Sequence, residues 1–191
     1  MKNIITFSFA FLFAVSCVKN NTQIDLLSTP EKWQGDPELI ITDNKMTIEG
    51  EFKMVIYNPG LFKNFSNFEL NAKIYTHPGA RGAIQFHTNK RDTEKGYEIQ
   101  IDNSAPGDWD RLLKTGSLNS IRNIYYRTVN DEEWFALKIK VEANHIFISI
   151  NDYPVVDYLE PEMPYRSPKH EKKLLSSGTL ALKTYYGNTG F

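Results

Sequence analysis

The sequence predicts an all-β fold, a two-sheet antiparallel β-sandwich. Three observations carry that expectation. Apolar and polar residues alternate with a period of two in many short stretches, and none sustains the period of an amphipathic helix. Turn signals recur at short intervals, among them Asn58-Pro59-Gly60, His77-Pro78-Gly79, Ala143-Asn144 and Asn151-Asp152. Aromatic residues make up 13% of the chain, enough to fill a core between two sheets.

The chain opens with Lys2 and an apolar run, Ile4 to Val15, that ends in Ala14-Val15-Ser16-Cys17. The run has 12 residues. That is too short to cross a bilayer of about 30 Å as a helix. It reads as a signal peptide over 1–16, with cleavage just before Cys17. Cys17 is the only cysteine, so it has no partner for a disulfide. The pattern resembles a bacterial lipobox. That resemblance implies an acylated Cys17 and an exported protein, lipid-anchored to the envelope, its acyl chains giving a stable membrane anchor. Residues 17–35 are polar, carry Pro30 and Gly35, and read as the tether.

The strands follow in order. Leu39–Ile41 and Lys45–Ile48 flank Asp43-Asn44, and Phe52–Tyr57 comes next. Phe68–Tyr75 alternates, with Phe68, Leu70, Ala72 and Ile74 on one face. Ala83–His87 places Ile84 and Phe86 inward, and Tyr97–Ile101 does the same for Tyr97, Ile99 and Ile101. Phe135, Leu137, Ile139 and Val141 line a later strand, and Ile146, Ile148 and Ile150 line its return. Val155–Tyr158 and Thr179–Thr184 complete the set. A helical turn capped by Asp108 is expected over Asp108–Leu113. The loop from Leu159 to Leu175 is long for a compact domain, which marks it either as the cover of a site or as a mobile segment.

Net charge is −1 and no basic stripe is present, which argues against nucleic-acid binding. With no cysteine pair, stability must come from packing. In an exported protein, surplus aromatics also suit stacking on sugar rings, and Trp109, in the loop after Asp102, is the candidate.

The chemistry-bearing residues gather in one predicted hairpin. Pairing Gly82–His87 with Gly96–Asp102 so that Phe86 opposes Ile99 leaves one face apolar. The other face then carries Gln85, His87, Glu98 and Gln100, with Asp102 at its end. In that register His87 opposes Glu98, with Cβ atoms roughly 4.5–5.5 Å apart, which would couple them as an acid/base pair. Glu98 and Asp102 are four residues apart, about 13 Å along a strand. That is too far for the carboxylate pair of an ordinary glycosidase, which needs at most about 9.5 Å.

A resemblance rests on several motifs in order: Asn67-Phe68-Glu69-Leu70, Gly82-Ala83-Ile84-Gln85-Phe86, and Gly96-Tyr97-Glu98-Ile99-Gln100-Ile101-Asp102-Asn103-Ser104. Lys114-Thr115-Gly116-Ser117-Leu118, Asn144-His145-Ile146, Ile150-Asn151-Asp152 and Gly178-Thr179-Leu180-Ala181-Leu182 continue it. Together they resemble the 3-keto-disaccharide hydrolases, from about Leu39 to Phe191. The resemblance implies a concanavalin A-like jelly roll over 36–191. The family pattern usually runs on into one more strand. His87 stands where the family often has Arg, and Tyr185-Tyr186-Gly187 where many members have His before the Gly.

The resemblance also implies a substrate, a glycoside oxidised to a ketone at C3. The ketone acidifies the C2 hydrogen, so the C1 substituent can leave by elimination, with water added afterwards. Such a site needs a base near C2, a group to polarise the ketone and a donor to the leaving oxygen. Glu98 or His87 is the expected base, and Arg81 or Lys114 the expected polariser. A divalent metal ion is an alternative polariser. Gln85, Gln100, Asp102, Trp109 and Tyr185 are the expected substrate-binding residues. The rival expectation is a non-catalytic carbohydrate-binding sandwich.

Overall fold

The computed structural model describes residues 4–8, 12–17, 20–36, 40–42, 45–49, 52–58, 60, 64–105 and 111–185. Among the expected features, the Asp43-Asn44 turn, Asp108, Trp109 and Tyr186-Gly187 fall outside them.

The described residues form fourteen strands in two antiparallel sheets. The larger sheet holds β1 (Ile4–Ser8), β2 (Leu12–Cys17), β3 (Asn20–Asp25), β5 (Ile40–Thr42), β6 (Lys45–Glu49), β8 (Phe68–Thr76), β11 (Phe135–Glu142), β12 (His145–Ile150) and β13 (Tyr153–Leu159). The smaller holds β4 (Trp33–Asp36), β7 (Lys53–Tyr57), β9 (Arg81–Thr88), β10 (Tyr97–Asp102) and β14 (Thr179–Tyr185), in the order β10-β9-β14-β7-β4. The two-sheet sandwich expected from the alternation is therefore the architecture found.

Ala143 (φ 53°), Asn151 (φ 48°) and Asp152 (φ 65°) take up the left-handed backbone that tight hairpin turns require. At Asn151-Asp152 the hairpin turn follows from residue type, while Ala143 adopts the same backbone without that preference. These turns set β11 against β12 and β12 against β13.

The inward faces are those the alternation marks. Phe68, Leu70, Ala72 and Ile74 of β8 and Phe135, Leu137, Ile139 and Val141 of β11 are buried. Against them pack Ile84 and Phe86 of β9, Tyr97, Ile99 and Ile101 of β10, and Leu180 and Leu182 of β14. Aromatic rings run through this core in contact: Trp33 with Tyr57 at 5.3 Å, Phe68 with Phe86 at 5.4 Å, Phe86 with Tyr97 at 5.8 Å. Edge-on and tilted pairs of this kind add about 0.5–1.5 kcal/mol each beyond burial.

Two segments differ from the simplest reading. Within the expected tether, Leu26, Leu27 and Trp33 are buried in the core, and Trp33 Nε1 donates to Leu26 O at 3.1 Å. A lone Trp in a polar stretch gives little period to read, and packing decides its fate. At the start of the chain, where a signal peptide is expected, β1 pairs with β6 on one side and β8 on the other, and β2 pairs with β3 of the expected tether.

Candidate functional site

The outer face of the smaller sheet carries the site. Its geometry follows from register. Ala181 of β14, Gln85 of β9 and Glu98 of β10 form one row; Lys183, Ala83 and Gln100 form the next; Tyr185, Arg81 and Asp102 the third. The middle strand presents only the small Ala83 in the second row. Longer side chains from β10 and β14 can therefore meet above it.

They meet at Glu98. Its Oε2 accepts from Lys183 Nζ at 3.1 Å and from the Tyr185 hydroxyl at 2.7 Å; its Oε1 accepts from Asn119 Nδ2 at 2.8 Å. Burial alone would raise the Glu98 pKa, but the Lys183 charge and the Tyr185 and Lys183 hydrogen bonds outweigh it and hold the carboxyl below its ordinary value. Glu98 is thus an ionised acceptor. Tyr185 stays protonated, its pKa pushed up by burial and by the facing carboxylate. The Arg81 guanidinium lies over the Tyr185 ring at 5.7 Å.

Two amides complete the floor. Gln85 Nε2 donates to Thr93 O at 2.9 Å and to Lys95 O at 2.8 Å, which folds that turn over the face. Gln100 Nε2 donates to Gly82 O at 3.1 Å. Among the described residues the Oε1 atoms of both, and Arg81 Nε, are buried and have no hydrogen-bond partner. Buried polar atoms without partners cost about 1–3 kcal/mol each, so in a folded site they mark where water or a ligand must bond.

The roof is the Leu159–Leu175 loop, which the sequence marks as a cover or a mobile segment. A buried clasp holds it down as a cover. The Tyr97 hydroxyl donates to Glu160, and Arg166 Nη2 donates to the Tyr97 and Tyr158 hydroxyls, both at 2.8 Å. The Leu175 amide donates to Glu160 Oε1 at 3.0 Å. The loop brings Lys169, His170 and Lys173 over the sheet. With Arg81, Gln85, Glu94, Glu98, Gln100, Lys183 and Tyr185 they line a cleft of about 490 Å³. A cleft of about 440 Å³ beside Asn58 and Asn64 has Lys90 as its one charged lining residue among those described, and so offers little chemistry.

The structure thus brings together Glu98, Arg81, Gln85, Gln100 and Tyr185 of the expected site. His87 is a correction. The observed register opposes Gln85, not His87, to Glu98, and Phe86 to Tyr97. The hairpin is two residues out of the expected pairing, which leaves each face unchanged but alters every partner. His87 itself is the extra residue of a bulge: Thr88 pairs with Thr179 and Phe86 with Leu180. Its φ of 59° turns the ring inward, against Phe68 at 5.9 Å. Glycine is needed on both sides, since a Cβ at Gly96 would sit 2.8 Å, and one at Gly178 2.5 Å, from the His87 carbonyl carbon. The ring is satisfied as a neutral imidazole: Ser176 N donates to Nδ1 at 3.2 Å and Nε2 bonds Ser66 O at 3.0 Å. Burial, with a smaller push from Lys95, lowers its pKa to about 4. It is a core residue.

Lys114 and Asp102 are also corrected. Lys114 is buried away from the cleft, its Nζ donating to Arg111 O at 2.6 Å and Ser104 Oγ at 2.5 Å. Asp102 is fully buried and taken up by Arg111, which donates from Nε and Nη2 at 2.9 Å each. It anchors the loop after β10 and is not among the residues that line the cleft. Lys183, Asn119 and the loop residues are additions. The alternation of β14 could have revealed Lys183, since Leu180 and Leu182 point inward. Nothing local points to Asn119 or His170.

Among the described residues the donor set does not suit a metal ion. Glu98 already neutralises Lys183, and His87 and Asp102 are committed elsewhere. No three His, Cys, Asp or Glu side chains converge among the described residues.

The fold has relatives among solved structures. A candidate glycosyl hydrolase from Parabacteroides distasonis superposes with a TM-score of 0.64 at 15% identity, over 82% of this chain and 83% of that one. Another structure with the same description, from the same organism, gives 0.64 at 19% identity over 83% and 88%. The carbohydrate-binding module CBM66 from Bacillus subtilis gives 0.56 at 17% identity over 81% and 88%. At these identities the likeness is one of fold. No curated protein matches the sequence. Residues 25–191 match the family described as the 3-keto-alpha-glucoside-1,2-lyase-like domain, and the chain belongs to that family.

Proposed function

We propose that this protein cleaves 3-keto-glycosides by elimination and hydration. The observation that carries the reading is the Glu98 cluster: an ionised carboxylate, a cation and a protonated phenol meet at one point of a roofed cleft. Glu98 takes the C2 proton. The electron pair moves onto the C3 oxygen, where Lys183 and Arg81 stabilise the developing oxyanion. Collapse of the enolate forms the C1–C2 double bond and expels the C1 oxygen, which takes its proton from Tyr185. Water then adds at C1, its proton restoring the Tyr185 phenol, and the proton held by Glu98 returns to C2. A substrate that displaces Asn119 or Lys183 from Glu98 raises its basicity at the moment it is needed.

Gln85 and Gln100 Oε1 are suited to accept from sugar hydroxyls. That pair also supports a second reading, a non-catalytic carbohydrate-binding module, and the fold likeness to CBM66 is compatible with it. Incubating purified protein with 3-keto and unoxidised disaccharides separates the two. Release of the C1 alcohol from the keto sugar alone is the expected result. Binding of either sugar without consumption of the keto form favours the module.

The Ala14-Val15-Ser16-Cys17 pattern supports export and a lipid anchor at Cys17. Cys17→Ser should then move the protein out of the membrane fraction. A variant that stays there sinks the anchor.

A further inference from the structure

Charge in the cleft does not balance. Four cations line it, Arg81, Lys169, Lys173 and Lys183, together with His170, against two carboxylates, Glu94 and Glu98. Lys183 is spent on Glu98 at 3.1 Å. Glu94 is neutralised by Lys172 at 3.2 Å. Arg81 reaches Asp102 at 3.7 Å, but that carboxylate is already held by Arg111 at 2.9 Å.

The surplus therefore sits on the loop. The short 3-10 turn Pro168–His170 and the residues after it place Lys169, His170 and Lys173 on the cleft. Among the described residues the Lys173 ammonium hydrogen-bonds only the Asn119 carbonyl, at 2.9 Å. Lys169 makes no hydrogen bond or ion pair among the described residues. His170 Nδ1 is engaged by Ser167 Oγ at 3.1 Å, which leaves Nε2 for a ligand. Burial, then repulsion from Lys183 and Lys169, lowers the Lys173 pKa, and burial, then repulsion from Lys173 and Lys169, lowers that of His170. Like charges are being crowded, and Glu98, the carboxylate that attracts Lys173 among the described residues, is already paired with Lys183.

We infer that the sugar taken in this cleft carries an acidic group, a carboxylate or a sulfate, seated against Lys169, His170 and Lys173. The inference rests on the carbohydrate reading above and adds the substrate class. An acidic group there relieves the repulsion and satisfies free donors with charge-assisted hydrogen bonds. Its binding takes up protons, so affinity rises as pH falls below the ordinary imidazole value of 6.5, once His170 is charged. Lys169 and Lys173 from the loop, and Arg81, Glu94, Glu98 and Lys183 from the sheet side, are the charged groups that face it.

Calorimetric titration of the full chain at low salt tests this with glucuronate, glucose 6-sulfate and glucose, none of which needs turnover. Glucuronate or the sulfate ester should bind at least about tenfold tighter than glucose. Lys169→Glu, a change at an exposed side chain that leaves the fold intact, should remove that margin. Glucose bound as tightly as the acids, or an unchanged margin in Lys169→Glu, overturns the inference and leaves the carbohydrate reading standing. Inorganic sulfate bound as tightly as the sulfate ester also overturns it, since the sugar would then contribute nothing. No binding of any of the three also overturns the inference, while the carbohydrate reading is decided by the 3-keto disaccharide assay above.

Discussion

The outer faces of the two sheets look alike as sequence and behave differently as structure. On the larger sheet, Glu69 and Lys73 of β8 and Lys138 and Lys140 of β11 form a polar row. Its ion pairs, Lys138 with Glu69 at 4.0 Å and Lys140 with Glu142 at 2.8 Å, are between side chains 34–69% exposed. On the smaller sheet the Lys183–Glu98 pair is only 17% and 12% exposed. Cavity size does not separate them, since a groove of about 510 Å³ lies on the larger sheet as well. What differs is cover. The Thr93–Lys95 turn and the Leu159–Leu175 loop lie over one face and dry it. There, charges interact strongly, and amide oxygens are left wanting a partner. The other face stays wet, and its ion pairs are worth little.

Breaking the covered face should show most at Glu98. Glu98→Gln keeps shape and one acceptor but removes the charge that holds Lys183 and Tyr185. Turnover of a 3-keto-glycoside should fall by a factor on the order of 10²–10⁴. Steady-state assay checks this, and a loss under about threefold would show that the proton goes elsewhere. Beneath the same face, Phe86→Ala removes a ring packed on Phe68 and Tyr97 and should cost about 3–5 kcal/mol in denaturant unfolding. A loss below about 1 kcal/mol would mean that the cavity closes, or that the face is not core.

A pH effect follows from His87. Its folded pKa, about 4, lies below the unfolded 6.5. Between those values the unfolded chain binds the extra proton. Stability is full above pH 6.5, falls as pH drops to about 4, and then levels. The loss is on the order of 3 kcal/mol. In His87→Gln that slope should vanish from the pH profile of unfolding. A slope that survives would assign it to another group.

The cover itself is tested by Glu160→Gln, which weakens the bonds to Arg166 and the Leu175 amide. A loss of about 1–3 kcal/mol is expected, with faster hydrogen exchange at Leu175 and through the loop. Unchanged protection would show that the clasp does not hold the loop. The smallest effect belongs to the wet face, where Lys138→Ala should change stability by under about 0.5 kcal/mol and leave turnover alone. A larger change would erase the contrast between the two sheets.

Alternation determined much of this protein directly. Residues at i and i+2 share a face, so Phe68 to Ile74, Ile84 with Phe86, and Tyr97 to Ile101 declare their inward side without knowledge of their partners. The same rule put Gln85, Glu98 and Gln100 together on the opposite side. The first three family motifs lie largely in those strands and were equally legible. Tertiary structure decided the rest. Period two is blind to a two-residue slip, so pairing Glu98 with Gln85 and not with His87 needed the actual hairpin. It is also blind to a bulge, which sent His87 into the core through the close approach of Gly96 and Gly178. The partners of Glu98 lie 21, 85 and 87 residues away in the chain, at Asn119, Lys183 and Tyr185. Only a folded sheet brings such distant groups within 3.1 Å of one carboxylate. Whether a polar row becomes a solvated surface or a buried site depends on the segment that lies across it, and no local pattern in the row records that segment.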